Sequence, residues 1–152
     1  MPPAAPLTVL LVQAERDDRE MYSEFLRAEG FYPVAVSTAA DALAVARRAH
    51  IVVTAILIPG QMDGPDLIAR LKHDERTSDI PVIVLTTCGW QSDRKRAHAA
   101  GCDAYLTKPC LPEVLVKEIR RVLADRPLQA RQPAGKSPSP VRRAGGSSER
   151  RR

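Results

Sequence analysis

Short stretches with chemically capable side chains follow four apolar segments of this sequence. They are Gln13 to Glu15, Thr54 to Ile56, Thr86 to Cys88, and Thr107 to Pro109. Glu15 and Lys108 carry the only charges in these stretches, which otherwise offer hydroxyls, an amide and one thiol. A hard cation such as Mg²⁺ prefers octahedral oxygen ligands that include one or two carboxylates. The residue types therefore favour hydrogen bonding over metal chemistry.

Five apolar segments alternate with longer amphipathic ones, a pattern typical of β-α units that build a parallel sheet covered on both faces. The predicted strands are "LTVLLV", "FYPVAV", "HIVVT", "IPVIVLTT" and "DAYLT". Right-handed crossovers then predict an α/β fold with a doubly wound five-stranded sheet. Pro33 lacks a ladder donor and so predicts an edge position for the second strand. In such a sheet, ligands and chemistry gather at the carboxyl ends of the strands.

Caps and stops define the predicted helices. Gly30 ends a first helix over about residues 17–29, Thr38 and Asp41 are spaced as the capping pair of a second, and Pro65 lies in the first turn of a third. The helix over about residues 92–100 is poor in large apolar groups, so we expect it to dock weakly. Pro112 begins the last helix.

Composition predicts one folded unit of residues 5–125. The chain has 152 residues, of which 44% are hydrophobic and 27% charged, enough for one domain with a sizeable core. No apolar run reaches the roughly 20 residues that span a bilayer, and the first residues lack the basic start of a signal peptide. We expect a cytoplasmic protein. The three cysteines match no disulfide or zinc spacing, so we expect free thiols.

The net charge of +5 resides in residues 126–152. That segment has eight basic residues and one acid, a net charge of +7, whereas residues 1–125 have fifteen basic and seventeen acidic residues, a net charge of −2. It is dense in Pro, Gly, Ser and Arg with few large apolar groups, which predicts a disordered tail. Such a tail can bind a polyanion in a salt-dependent way, or serve as a tether.

Four motifs in order resemble a bacterial response-regulator receiver domain of the CheY-like type. They are "LLVQAERDDREMYSEFLRAEGF", the loop with "IPG" and "MDG", "DIPVIVLTT" and "AAGCDAYLTKPCLPEVL", over about residues 7–124. The resemblance implies the flavodoxin-like strand order 2-1-3-4-5. It also implies phosphoryl transfer from a histidine kinase to an aspartate after strand three, with Mg²⁺ held by acids after strand one.

The resemblance places neutral residues in the phosphorylation pocket. The family's acidic pair falls on Gln13 and Ala14, and its phosphoacceptor falls on Ala55, or on Ile56 when counted back from "MDG". We therefore interpret the chain as a degenerate pseudo-receiver that is not an enzyme and does not bind Mg²⁺. Glu15, Asp17 and Asp18 are nearby acids that could rescue a metal site, but we expect helix-start electrostatics to be their role. Asp63 is expected to be a solvated turn residue.

Residues of the switch type remain. The resemblance assigns phosphoryl contact to Thr86, a reporter aromatic to Tyr105, phosphate pairing to Lys108, and a cis peptide bond to Pro109. Alternatively, Thr86 ends a strand, Tyr105 packs with its hydroxyl in water, and Lys108 is kept for the turn. Since the usual partners of Lys108 are missing, we predict that its ammonium contacts Glu15 or is exposed.

The favoured function is that of a stand-alone atypical response regulator acting by phosphorylation-independent protein binding. Its partner would be a histidine kinase, another response regulator or an output protein, and the chain would be a monomer or weak dimer. The predicted partner face comprises Trp90, Arg94, Lys95 and Tyr105, beside the segment 113–121, although Trp90 could equally pack on its own domain. Two alternatives are a phosphoryl acceptor with a non-standard site, and tail-mediated binding of nucleic acid or another polyanion.

Overall fold

The computed structural model describes residues 5–125. The predicted disordered tail, residues 126–152, lies outside the described residues. Strands and helices alternate as five β-α units: β1 Thr8–Val12, α1 Arg16–Ala28, β2 Tyr32–Val36, α2 Ala39–Val45, β3 Ile51–Thr54, α3 Gly64–His73, β4 Val82–Thr86, α4 Gln91–Ala100, β5 Ala104–Thr107 and α5 Pro112–Ala124. This confirms the predicted order of elements.

The five strands form one parallel sheet with the order β2-β1-β3-β4-β5. The predicted doubly wound topology is confirmed, and Pro33 lies in an edge strand. Val12 pairs with Thr54, and Thr86 pairs with Thr107. The carboxyl ends of β1, β3, β4 and β5 therefore meet along one edge of the sheet.

Helices cover both faces of the sheet. Alternate residues of β1, β3 and β4 pack with α1 and α5 on one face, and the intervening residues pack with α2, α3 and α4 on the other. All residues of β3 and β4 are buried. Burial on both sides explains why these strands are continuous apolar runs instead of alternating ones.

Helix ends follow the expected chemistry with one difference. Gly30 and Gly101 have φ of 95° and 113°, as residues that end helices in the left-handed region do. The Thr38 hydroxyl accepts from the backbone N–H of Asp41 at 3.1 Å, which confirms the predicted cap. However, α2 is short, because the chain tightens into a 3-10 turn at Ala46–Arg48.

α4 buries one residue, Ala97, as follows from its lack of large apolar groups, and the expectation of weak docking stays a prediction. Cys88, Cys102 and Cys110 are free thiols, as predicted. Among residues 5–125, no helix is both long and apolar enough to cross a membrane.

Candidate functional site

The candidate site is the cleft at the carboxyl ends of β1, β3, β4 and β5, here called the strand-end cleft. Backbone hydrogen bonds assemble it. Ala55 donates to the carbonyl of Val12 at 3.0 Å, and Lys108 donates to the carbonyl of Thr86 at 2.8 Å. Gln13, Ala55, Thr86 and Lys108, four residues selected from the sequence, are thereby brought to one edge of the sheet.

Gln13 is a buried amide that links three strands. Its side-chain N–H donates to the carbonyl of Leu85 at 3.1 Å, and its Oε1 accepts from Lys108 Nζ at 2.6 Å. Only 1% of the residue is exposed. Buried polar groups are stable when both their donors and acceptors are paired. Gln13 therefore serves as a neutral bridge between β1, β4 and the segment after β5.

Lys108 is paired inside the cleft, with a partner that the sequence did not predict. Its Nζ donates to Gln13 Oε1 and to Asp18 Oδ2, both at 2.6 Å, and its side chain is 15% exposed. The prediction of contact with Glu15 or exposure is wrong. Glu15 precedes α1 and is exposed, whereas Asp18 lies one turn further and is half-buried.

The inward direction of Asp18 follows from helix geometry. Asp18, Tyr22 and Leu26 are four residues apart, so they share one face of α1. Tyr22 and Leu26 are both buried against the sheet. Asp17 is exposed in the first turn, where its charge suits the positive helix end. The assignment of helix-start electrostatics to Asp18 is therefore incomplete, because the carboxylate is the counter-ion of Lys108.

Arg19 is a member of the site that sequence reasoning missed. One of its terminal nitrogens donates to the carbonyls of Gln13 and Ala14, both at 2.8 Å. The side chain of Ala14 offers no ligand atom, and its carbonyl is taken by this guanidinium. The guanidinium of Arg19 thus occupies two backbone carbonyls of the segment between β1 and α1. Its position in the first turn of the helix that follows β1 was the available sequence signal.

The two residues that follow β3, at the possible acceptor positions, have no side-chain oxygen. Ala55 and Ile56 are 7% and 1% exposed. The carbonyl of Ile56 accepts from the N–H of Gly64 at 2.7 Å. A Cβ on Gly64 would lie 2.1 Å from the carbonyl oxygen of Ala55. The residues at both possible acceptor positions are therefore apolar, buried and tightly packed against the start of α3.

Thr86 and Tyr105 hold the neighbouring loop by hydrogen bonds. Thr86 Oγ1 accepts from the N–H groups of Ile56 at 3.2 Å and Cys88 at 3.4 Å. The Tyr105 hydroxyl donates to the carbonyl of Cys88 at 2.6 Å, and the guanidinium of Arg94 lies 4.5 Å from its ring centre. Burial raises the pKa of Tyr105. The Tyr105 hydroxyl is thus hydrogen-bonded to the protein. The expected cis peptide bond between Lys108 and Pro109 is present.

Asp63 was expected to be a solvated turn residue, and this is wrong. It caps α3, accepting from the N–H of Asp66 at 3.0 Å, while the Asp66 carboxylate accepts from the N–H of Asp63 at 3.2 Å. It also pairs with Arg96 at 2.9 Å. Burial works to raise the pKa of Asp63, but these hydrogen bonds and the arginine charge lower it overall. The sequence "DGPD" carried this capping pattern.

The residues of the cleft do not fit a magnesium ion. Within residues 5–125, no group of three or more His, Cys, Asp or Glu side chains is placed to hold a metal. Asp18 is the carboxylate that reaches the cleft, and it is bound to Lys108. Mg²⁺ would have to displace an ammonium and bind without further carboxylates, which its ligand preference opposes.

Trp90 is exposed on the predicted partner face. It immediately precedes α4 and is 75% exposed, so it does not pack on its own domain. Lys95 is exposed on the same helix, and Arg94 and Tyr105 are half-buried in their stacked arrangement. The partner face thus presents an indole beside two cationic side chains.

Comparison with known proteins gives consistent matches. The model of the response regulator receiver domain family matches residues 9–120. Response regulator Rre1 of Synechocystis is 34% identical over 124 residues, which cover 80% of this chain and 53% of Rre1. The polar-differentiation response regulator DivK of Brucella ovis is 27% identical over 120 residues, covering 78% of this chain and 97% of DivK.

Solved structures give the same fold. The chemotaxis protein CheY4 of Vibrio cholerae superposes with a TM-score of 0.73 at 27% identity, covering 78% of this chain and 99% of that one. The chain spans about half the length of several of the regulators it matches, including Rre1 and the phosphate regulon regulator PhoB of Pseudomonas aeruginosa.

Proposed function

Because the chain belongs to the response regulator receiver domain family of two-component signalling, we propose that it is an atypical member that signals by binding proteins and accepts no phosphoryl group. Receiver domains are signalling modules that interact with histidine kinases and other proteins. The same three partner classes, a kinase, another regulator or an output protein, are proposed for this chain. A cytoplasmic location is part of the proposal.

The pairing of Lys108 with Asp18 and Gln13 carries this proposal. A phosphoryl acceptor needs an attacking oxygen and cations free to neutralise the transferred group. Here the two residues that follow β3, Ala55 and Ile56, are apolar, and the lysine of the cleft is already bound to a carboxylate and an amide. The positive charge of Lys108 is therefore neutralised by Asp18 of the same domain. A phosphoryl group would have to displace Asp18 to pair with Lys108.

Other acids are poor substitutes for the missing aspartate. Asp63 is engaged as the cap of α3 and by Arg96. Asp18 is engaged by Lys108, and Glu15 is exposed before α1. An acceptor at any of these positions would lack the combination of free lysine and bound metal ion. This argues against phosphoryl transfer to a non-standard site.

The partner face supports protein binding as the remaining activity. Trp90 exposes most of its indole, and aromatic and arginine side chains are the residue types that most often dominate interfaces. The stacking of Arg94 on Tyr105 and the hydrogen bond from Tyr105 to Cys88 hold this surface in one arrangement. A preorganised surface loses less conformational entropy when a partner binds.

Capture of partners by matched variants tests the proposal. Tagged wild-type chain, Trp90→Ala and Tyr32→Ala are incubated with lysate of the source organism, and bound proteins are identified by mass spectrometry. Tyr32 is an exposed aromatic at the other edge of the sheet, so it controls for loss of an aromatic surface group. We expect a two-component signalling protein to bind wild type and Tyr32→Ala, and to be lost with Trp90→Ala. Equal capture by all three would contradict the assigned face.

Polyanion binding through residues 126–152 is a second candidate, based on the net charge of +7 in the sequence. The segment lies outside the described residues, so this stays a prediction. Its sequence has no aromatic residue to stack on bases. Retention of weak DNA binding at low salt after replacement of its arginines by glutamine would contradict a role for the tail charge.

A further inference from the structure

The negative charge of residues 1–125 is concentrated on one helix. Residues 15–29, which comprise α1 and one residue on either side of it, contain six acids and three arginines, a net charge of −3. The rest of residues 1–125 contains eleven acids and twelve basic residues, a net charge of +1. α1 is therefore the acidic element of a domain that is otherwise nearly neutral.

Part of this charge lies along the solvent side of α1. Asp17, Glu20, Met21 and Glu24 recur at spacings of three and four residues and are all exposed, so they share the outer face of the helix. Arg16 pairs with Glu20 at 2.9 Å. Asp17 and Glu24 form no ion pair within 4.0 Å in the described part of the chain. These four residues, here called the α1 outer stripe, thus offer two unpaired carboxylates beside an exposed thioether.

The basic segment of the chain begins beside the end of α1. α1 and α5 pack on the same face of the sheet, and Arg120 of α5 donates to both the backbone carbonyl and the carboxylate of Glu29 at 3.2 Å. α5 ends about one turn later, at Ala124, and Asp125 is the last described residue. Residues 126–152 therefore follow from a point close to the C-terminal end of α1.

We propose that residues 126–152 bind the α1 outer stripe of the same chain, with arginine side chains on the carboxylates of Asp17 and Glu24. The segment has a net charge of +7 and begins with Arg126 and Arg131. Arginine suits carboxylates because its planar fork can donate two parallel hydrogen bonds.

The reach of the segment is sufficient. α1 has 13 residues, so it is about 20 Å long at 1.5 Å per residue. Six residues of extended chain also span about 20 Å. The residues from Arg126 to Arg131 can therefore cover the distance from the C-terminal end of α1 to its first turn.

Other carboxylates of the domain are poorer partners for the segment, because arginines of the domain already pair with them. These carboxylates are Asp63, Asp74, Glu118 and Asp125. Arg27 works against the contact, since it is an exposed cation in the last turn of α1. Its repulsion acts where the segment would enter the stripe, so the contact depends on the carboxylates further along the helix.

The contact would cover the outer face of α1 and leave the partner face accessible. α1 and α5 pack on one face of the sheet, whereas Ala97 of α4 packs on the other. The inference therefore goes beyond protein binding at the partner face. A polyanion would have to compete with α1 for the same basic side chains.

Amide chemical shifts of the full chain at low salt test this inference. Each domain is compared with and without replacement of the eight basic residues of 126–152 by glutamine, and the tail-dependent shift change is measured for every residue. The test domain carries Asp17→Asn with Glu24→Gln, and the control domain carries Asp41→Asn with Glu75→Gln. Asp41, like Asp17, is an exposed acid in the first turn of a helix. Glu75, like Glu24, is exposed and forms no ion pair within the described residues.

We expect tail-dependent shift changes concentrated on residues 17–28 in the wild-type and control domains, and their loss at high salt, where exposed charges are screened. In the test domain the contact should weaken roughly threefold, because two exposed ion pairs are removed. Shift changes spread evenly over the domain, their absence from wild type, or equal weakening in the test and control domains would overturn the inference. Shift changes that grow with protein concentration would overturn it as well, because the segment would then bind a second copy.

Discussion

The two halves of the strand-end cleft differ in the charge of their side chains. The ends of β1 and β3 carry Gln13, Ala14 and Ala55, which offer no charge. The ends of β4 and β5 carry Thr86 and Lys108, whose side chains form hydrogen bonds to Ile56 after β3, to Gln13 after β1 and to Asp18 of α1. The first half offers no charged side chain, and the charged side chain of the second half is paired.

This difference shows how a lysine can be accommodated in a cleft whose strand ends are otherwise neutral. A buried ammonium with no acceptor would cost several kcal/mol or lose its proton. Asp18 from α1 supplies the counter-charge, and the Gln13 amide supplies a neutral acceptor. Thr86, Tyr105 and Lys108 are each held by hydrogen bonds within the domain.

The largest expected effect on stability tests whether the residues after β3 are more tightly packed than those after β4. Gly64→Ala places a Cβ 2.1 Å from the Ala55 carbonyl oxygen, so backbone must move. We expect a loss of roughly 3 kcal/mol in the free energy of unfolding, measured by urea denaturation. Gly89→Ala is the control, because its Cβ would meet only the Thr107 methyl at 3.8 Å. Similar stabilities of the two variants would show that the end of β3 is not tightly packed.

The next effect concerns the pairing across the cleft. Lys108→Met leaves the buried Oε1 of Gln13 without its donor and Asp18 without its counter-ion. We expect a loss of about 1–3 kcal/mol in the free energy of unfolding. Lys117→Met, at an exposed position of α5, should change it little. If the two variants are equally stable, Lys108 points into solvent and the cleft is not neutralised from within.

The smallest expected effect on stability concerns the ends of β4 and β5 alone. Tyr105→Phe removes the hydrogen bond to the Cys88 carbonyl and keeps the ring under Arg94. We expect a loss of about 1 kcal/mol, read from the denaturation midpoint. Tyr32→Phe, an exposed tyrosine of the edge strand, should leave the midpoint unchanged. A silent Tyr105→Phe would mean that the hydroxyl is bonded to water in solution.

The fold was predictable because its signals are local. Continuous apolar runs mark strands buried on both faces, and Pro33, Gly30 and Thr38 act on the backbone next to them. The shortening of α2 was not predictable, since the 3-10 turn depends on how the chain enters β3.

The site was only partly predictable, because it depends on contacts distant in sequence. The neutral residues at the strand ends were visible in the sequence. To identify Asp18, and not Glu15 or Asp17, as the partner of Lys108, one must know which face of α1 is turned toward the sheet. The four-residue spacing between Asp18 and the buried Tyr22 indicates that face only once the sheet is in place. The exposure of Trp90 is likewise set by how the loop after β4 packs.

Phosphoryl uptake tests the central claim most directly. The full chain is incubated with acetyl phosphate and Mg²⁺, with an aspartate-bearing receiver domain in the same tube as a positive control, and the intact masses are measured. The account predicts that the control gains a phosphoryl group while the mass of this chain stays unchanged. A phosphoryl adduct on this chain that hydroxylamine removes would contradict it, because an acyl phosphate would then have formed despite the pairing of Lys108 with Asp18.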